Sequence, residues 1–210
     1  MTTASAPRDS ALTEALLRAF ALGIYGLLVW NVAQNWWADT GRITLLLLLI
    51  AESFTLALVL FARRAVVRDL SPVALGATLY AAFFFVFFDY GHTRHLAPEW
   101  LGALLQLAGL AWQAAAKLML GRSFGLLPAA RRLVTGGPYR VVRHPIYLGY
   151  LIAHVGFLLG NFSLQNVLVL GALYCAQIVR MLREEAVLGE SGEYRDYAAR
   201  VRWRLVPFVF

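Results

Sequence analysis

Two short stretches hold the residues whose types and spacing could do chemistry. The first, from Thr135 to Gly149, reads Thr-Gly-Gly-Pro-Tyr-Arg-Val-Val-Arg-His-Pro-Ile-Tyr-Leu-Gly. Gly136, Gly137 and Pro138 break any helix before Tyr139. His144 precedes a proline, which pushes its backbone away from the α region. Pro145 fits the first helical position, where its missing N–H costs nothing. The chain is therefore expected to change from extended to helical at His144-Pro145. The new helix N-terminus turns free N–H groups and partial positive charge toward the loop, an end that suits a carboxylate or phosphate. Tyr147 lies three residues beyond His144, on the same side of the first turn, and Gly149 leaves room for a ligand or a neighbouring backbone. The second stretch is Arg180-Met-Leu-Arg183-Glu184-Glu185. Arg180 and Glu184 are four apart on one helix face. Paired carboxylates at a helix C-terminus oppose its dipole, so Glu184 and Glu185 need a bound cation or nearby arginines. Local physics alone accounts for both stretches as a well-capped membrane helix after a basic loop, and as salt bridging at a helix end.

The elements that must position these residues are apolar helices. The chain has 210 residues, of which 60% are hydrophobic, and its mean hydropathy is +0.63. Such values indicate a polytopic membrane protein. The net charge is +7. Its basic residues sit in short segments between apolar runs, so topology and anionic lipid headgroups explain them better than nucleic acid does. The single cysteine, Cys175, allows no disulfide within the chain, and no metal site is expected.

Six apolar segments are expected, at residues 15–34, 43–62, 72–88, 98–120, 145–160 and 164–185. Glu14 and Arg18 can pair near the start of the first, and Trp30, Trp36 and Trp37 suit its far membrane boundary. Glu52 sits near the middle of the second, either packed and hydrogen-bonded or facing a wet cavity. The phenylalanine-rich end of the third, residues 83–88, suits lipid contact and core packing. The loop after it holds Asp89, His92, Arg94 and His95 without regular metal-ligand spacing, so a solvated loop is expected. Gln106, Gln113 and Lys117 share one face of the fourth segment, where they either pack inside the bundle or let Lys117 snorkel. Asn161-Phe162-Ser163 turns the last two segments into a tight helical hairpin. His154, Asn161, Gln165, Asn166 and Gln177 on it are expected to form interhelix hydrogen bonds. The tail, residues 186–210, reads as an amphipathic segment lying on the membrane or closing over the loop. Arg63, Arg64 and Arg68, the stretch 117–143 and the tail mark the cytoplasmic side, with both termini inside. The chain reads as one all-α integral membrane domain, with helices over 1–120 and a chemistry-bearing part over 121–210.

The set of motifs resembles the isoprenylcysteine carboxyl methyltransferase family, and the related phospholipid methyltransferases share the pattern. The resemblance rests on Leu133-Val134-Thr135-Gly136-Gly137-Pro138-Tyr139-Arg140, on Arg143-His144-Pro145-Ile146-Tyr147, on Glu184-Glu185, and on Glu193-Tyr194 with Tyr197. It covers about residues 117–207. It implies S-adenosylmethionine held at a cytoplasmic pocket of loop, hairpin and tail. Carried over residue by residue, Arg132, Leu133, Val134, Tyr139, His144, Pro145 and Tyr147 line the cofactor. Glu184 meets its charged part with Glu185 beside it, and Arg180 faces a lipophilic methyl acceptor, so that Arg180 and Glu184 are the catalytic pair. Two departures stand out: Arg131-Arg132 occupies a place where histidine is frequent, and Ser191-Gly192-Glu193-Tyr194 is a shortened form of the tail motif. Competing readings are an NADPH-dependent sterol-type reductase, whose family has a similar loop and Arg-His-Pro segment, and a non-enzymatic transporter or lipid-binding scaffold built on Glu52 and the polar fourth helix.

Overall fold

The computed structural model describes residues 23, 25–27, 29–61, 72–120 and 133–210. Every described residue from 23 to 38 is helical, and this helix is α1. There follow α2 (Ile43–Phe61), α3 (Pro72–Phe83), α4 (Glu99–Leu120), α5 (Pro145–Gly160), α6 (Leu164–Leu188) and α7 (Gly192–Arg200), with 3₁₀ turns at Phe84–Phe87 and Gly137–Arg140. Among the described residues the only strand-like pairing is an isolated bridge between Arg94 and Phe162. The protein is all-helical. Helices α4 and α6 are long and apolar enough to cross a membrane, while the apolar stretches of α2, α3 and α5 are shorter. Glu14, Arg18, Arg63, Arg64, Arg68 and the basic loop with Arg122, Arg131 and Arg132 lie outside the described residues.

Proline and histidine set the start of α5 as the sequence predicts. His144 is its N-cap at φ −120°, ψ 62°, and Pro145 is the first helical residue. The third segment departs from expectation. It is helical only to Phe83, then tightens into a 3₁₀ turn and leaves extended at Phe88. Phe84, Phe85 and Phe88 are buried and Phe87 is exposed. The run of phenylalanines folds inward here because it ends on a polar anchor: Asn166 Oδ1 accepts the Asp89 N–H at 2.8 Å.

The expected hairpin of α5 and α6 exists as a turn, but the close packing of α5 is on α4. Glycines cause this. A Cβ on Gly109 would lie 2.5 Å from Ala153 N and 2.5 Å from Gly149 O, and one on Gly156 would lie 2.5 Å from Gly102 O. The two backbones approach where side chains would hold them apart, the packing mode of small residues in membrane helices. Gly109→Ala should therefore force α4 and α5 apart, at about 1–3 kcal/mol. Gly171→Ala on α6 is the control, because a Cβ there meets nothing within 4 Å. Thermal unfolding in detergent should show a lower melting temperature for the first and none for the second. Equal melting of the two variants would mean that the close approach does not hold the helices.

Several polar residues of the helices bond inside the protein, although Gln106 Oε1 on α4 and Thr78 Oγ1 on α3 are buried atoms without a hydrogen-bond partner among the described residues. Asn161 accepts from Arg42 at 2.6 Å and donates to Thr44 Oγ1 at 2.8 Å, and Asn166 donates to the carbonyls of Asp89 and Asn161. The loop after the 3₁₀ turn is thus tied to the α5–α6 turn rather than free in solvent, although His92 and His95 are exposed. His154 Nδ1 meets Tyr174 OH at 2.7 Å across α5 and α6, and Gln165 donates to the Phe87 carbonyl. Gln177 differs from expectation and accepts from Arg180 of its own helix. Lys117 does not snorkel. It is 6% exposed, donates to Gln113 Oε1 at 2.9 Å, and lies over the rings of Phe54 and Tyr150. Glu52 is also buried and accepts from the Tyr25 hydroxyl. The apolar core joins α1, α2, the phenylalanine turn, α5 and α6 through residues such as Val32, Leu48, Phe85, Phe157 and Leu173.

Candidate functional site

Three separate stretches meet at the end of the bundle where α5 begins. The first is the loop from Leu133. Gly137 takes φ +54°, a left-handed conformation that glycine adopts freely, and starts the 3₁₀ turn that buries Tyr139. The second is the chain beyond α7. Carbonyls of Trp203 and Arg204 accept the N–H groups of Arg143 and His144, both at 2.9 Å. This contact closes Trp203 and Arg204 of the tail over the loop, one of the two expectations for it. The third is the end of α6, which continues three residues past the expected boundary to Leu188. Ser191 then caps α7 by accepting the Tyr194 N–H. That helix carries Tyr194 and Tyr197 against Tyr139, with Leu133 and Val134 packed beside them, and Tyr197 OH donates to the Tyr139 carbonyl at 2.8 Å.

The two glutamates at the end of α6 have opposite surroundings. Glu185 is enclosed by two arginines and a histidine. His144 Nε2 lies 3.0 Å from Oε1, and Arg204 Nε lies 2.9 Å from Oε2. Arg143 Nε is 3.2 Å from Oε1, within ion-pair distance though not aligned as a hydrogen bond. Because a carboxylate only accepts, His144 Nε2 carries the shared proton. The sequence argument that this pair of acids needs arginines is met here for one of them. Glu184, by contrast, is half-buried and makes no hydrogen bond or ion pair among the described residues. It stands close enough for its charge to act on Tyr139, Tyr147 and Tyr194.

Those phenols are held neutral. Burial pushes the Tyr139 hydroxyl well above its usual range, and the Glu184 charge adds to it. Burial, reinforced by Glu185, does the same to Tyr194. Tyr197 is pushed up to about 12, by burial first. At neutral pH all three are hydroxyl donors. The hydroxyl of Tyr194 is buried and has no hydrogen-bond partner among the described residues, which is costly unless something else accepts from it.

Arg180 does not pair with Glu184. It is 9% exposed, donates from Nη1 to Gln177 Oε1 at 3.1 Å, and its guanidinium carbon lies 5.7 Å from the centre of the Tyr147 ring. The rings of Tyr147 and His144 are 5.8 Å apart. Of the residues singled out in the sequence, Leu133, Val134, Tyr139, His144, Pro145, Tyr147, Arg180, Glu184 and Glu185 thus gather at one end of the bundle. Arg132 lies outside the described residues. Sequence reasoning did not mark Tyr194 as a site residue or Arg204 as a partner of Glu185. Tyr194 carried a signal in its place within the tail motif, whereas Arg204 is one of several arginines there and had none.

Helix α4, the glycine-packed α5 and the two-glutamate end of α6 are the parts that a comparison with known families recognises. Residues 98–191 match the phospholipid methyltransferase family. The match runs from just before α4 to the cap of α7. It supports a membrane methyltransferase over the reductase and scaffold readings, in line with the resemblance carried by the motifs. No curated protein matches the chain, and no solved structure does.

Proposed function

We propose that this chain is an S-adenosylmethionine-dependent methyltransferase of the membrane, acting on a lipophilic acceptor. The observation that carries the proposal is Glu184, a half-buried carboxylate with no hydrogen bond or ion pair among the described residues, beside a Glu185 already enclosed by arginines and His144. The buried Tyr194 hydroxyl, without a hydrogen-bond partner among the described residues, supplies a second polar group nearby. A ligand with both positive charge and hydrogen-bonding groups fits this donor set. Bound there, the cofactor would supply an electrophilic methyl group on a sulfonium sulfur.

The chain's own residues would do the positioning. Glu184 would hold positive charge, and the rings of Tyr139 and Tyr147 would offer faces to it. The first turn of α5 and the basic loop, including Arg132, would favour the cofactor's carboxylate. Leu133, Val134 and Pro145 would give apolar lining. His144 and Glu185 would fix the loop against α6. Arg180, over Tyr147, would grip the acceptor, and a carboxylate acceptor could be held by two parallel hydrogen bonds and needs no base. An amine or thiol acceptor would need to lose a proton, for which Glu184 and His144 are nearest. Alignment and exclusion of water would then supply much of the acceleration. The domain would span the membrane several times, with both termini and this site on the cytoplasmic face.

Calorimetry with S-adenosylmethionine and its demethylated product tests the assignment. Both ligands should bind. Tyr147→Ala should weaken both by about 0.5–2 kcal/mol, the scale of a lost cation–aromatic contact. Unchanged affinity in both Tyr147→Ala and His144→Ala would remove the site from this end of α5. Binding of NADPH in place of S-adenosylmethionine would support the reductase.

A further inference from the structure

Beyond the site, the residues after α7 form a compact curl that the proposed chemistry does not use. Leu205 N–H and Val206 N–H both donate to the Phe210 carbonyl, and the Val209 and Phe210 N–H groups donate to the Val206 carbonyl, at 2.8–3.1 Å. Leu205 is buried on the inner side. The outer side is apolar: Phe208 is 86% exposed and Val209 78% exposed, and the Phe208 ring lies 5.3 Å from that of Trp203. Arg200 and Arg202 are exposed next to it.

Phe208 is also the one non-glycine residue with positive φ among the described residues, at 67°. A side chain there strains the backbone, and glycine would adopt the same conformation freely. Inside the protein this ring gains little to offset the strain, because most of it is exposed. The curl is rooted where α5 begins, through the bonds of Arg143 and His144 to Trp203 and Arg204. On the topology given under the proposed function, on which this inference rests, that level is the boundary between lipid and water.

We infer that the curl formed by Trp203, Phe208 and Val209 docks into the lipid surface of the membrane that holds the protein, with Arg200 and Arg202 against anionic headgroups. Three features fit a bilayer. Four backbone N–H groups of the curl bond to its own carbonyls, which lowers the cost of placing it against an apolar environment. Tryptophan and phenylalanine with flanking arginines are the composition of interfacial segments. The arginines complement the charge of acidic lipids. Because Arg204 in the same stretch binds Glu185, a docked curl would also steady the end of α6.

The test uses the full chain in nanodiscs holding one copy each, made of phosphatidylcholine and phosphatidylglycerol. Val209→Cys, on a Cys175→Ser background, is labelled with an environment-sensitive fluorophore. Emission should be blue-shifted and quenched by lipids brominated near the headgroup end of their chains. Adding Phe208→Gly should return the emission toward that of the label in water, with an unchanged or higher melting temperature because the strained position is relieved. Water-like emission open to iodide and insensitive to brominated lipid would overturn the inference. So would a blue shift that appears only when two copies share a disc, which would assign the curl to a second copy of the chain.

Discussion

Glu184→Gln is expected to weaken S-adenosylmethionine binding by roughly ten- to a hundred-fold while leaving the melting temperature almost unchanged. The substitution removes charge at nearly constant shape. A hydrogen bond to a charged group contributes about 1.5–3 kcal/mol, and each 1.4 kcal/mol is about tenfold. Because Glu184 has no ion pair or hydrogen bond with the described protein residues, the fold should hardly register its loss. Arg180→Ala differs in kind. Arg180 is buried and engaged with Gln177 and Tyr147, so some stability should go with it. If it grips the acceptor, acceptor KM should rise or kcat fall with cofactor affinity nearly intact. The acceptor is first identified by incubating the protein with labelled S-adenosylmethionine and a membrane lipid extract. Were the two residues only structural at this helix end, both variants would lose stability and keep cofactor affinity, and the double variant would lose about the sum of the two because they do not touch. Cofactor Kd, acceptor kinetics and melting temperature for the three variants separate these results. Unaltered binding with equal destabilisation would refute the roles given to this end of α6.

The start of α5 was legible because two local rules agree at one point: a residue before proline avoids the α region, and proline suits the first helical position. The boundaries of α4 and α5 follow from such punctuation. Partners across space were not legible. Gly149 could be read as room for a ligand or a backbone, and the structure gives it the Gly109 carbonyl and the Gln113 N–H. Nothing local says that Gly109 and Gly156 face α5 and α4 in register, so the hairpin partner looked like the natural packing partner. Lys117 could be assigned to a polar face but not to an interior, because its rings, Phe54 and Tyr150, come from two other helices. The phenylalanine run failed for a related reason. Composition allows helix through residue 88, and only the anchoring of Asp89 by Asn166, 77 residues away, ends it early. In the site, the need of two adjacent glutamates for positive charge was legible. That Glu185 alone would be enclosed, and Glu184 left over, depends on how the tail returns.

That division gives Glu185 a test of its own. The resemblance implies that Glu185 belongs to the cofactor lining, whereas its contacts make it the pin between loop, α6 and tail. Glu185→Ala would leave the Arg143 side chain, 10% exposed, without its anion, and His144, 6% exposed, without its acceptor. Leaving buried charge uncompensated costs about 3–5 kcal/mol. Arg204 is 36% exposed, so water screens it, and Arg204→Ala should cost about 0–1 kcal/mol. The expected order of melting temperatures is therefore wild type, then Arg204→Ala slightly lower, then Glu185→Ala far lower. Adding Arg143→Ala to Glu185→Ala removes one stranded cation, so the double variant should be less destabilised than the sum of the two single ones. High salt should not restore Glu185→Ala, because a mostly buried cluster is weakly screened. Cofactor affinity per folded molecule would fall only through loosening of the loop, and less than in Glu184→Gln. A Glu185→Ala protein that melts with the wild type yet no longer binds S-adenosylmethionine would reverse the assignment. The carboxylate would then serve the cofactor, and the arginines around it would be neutralised by other means.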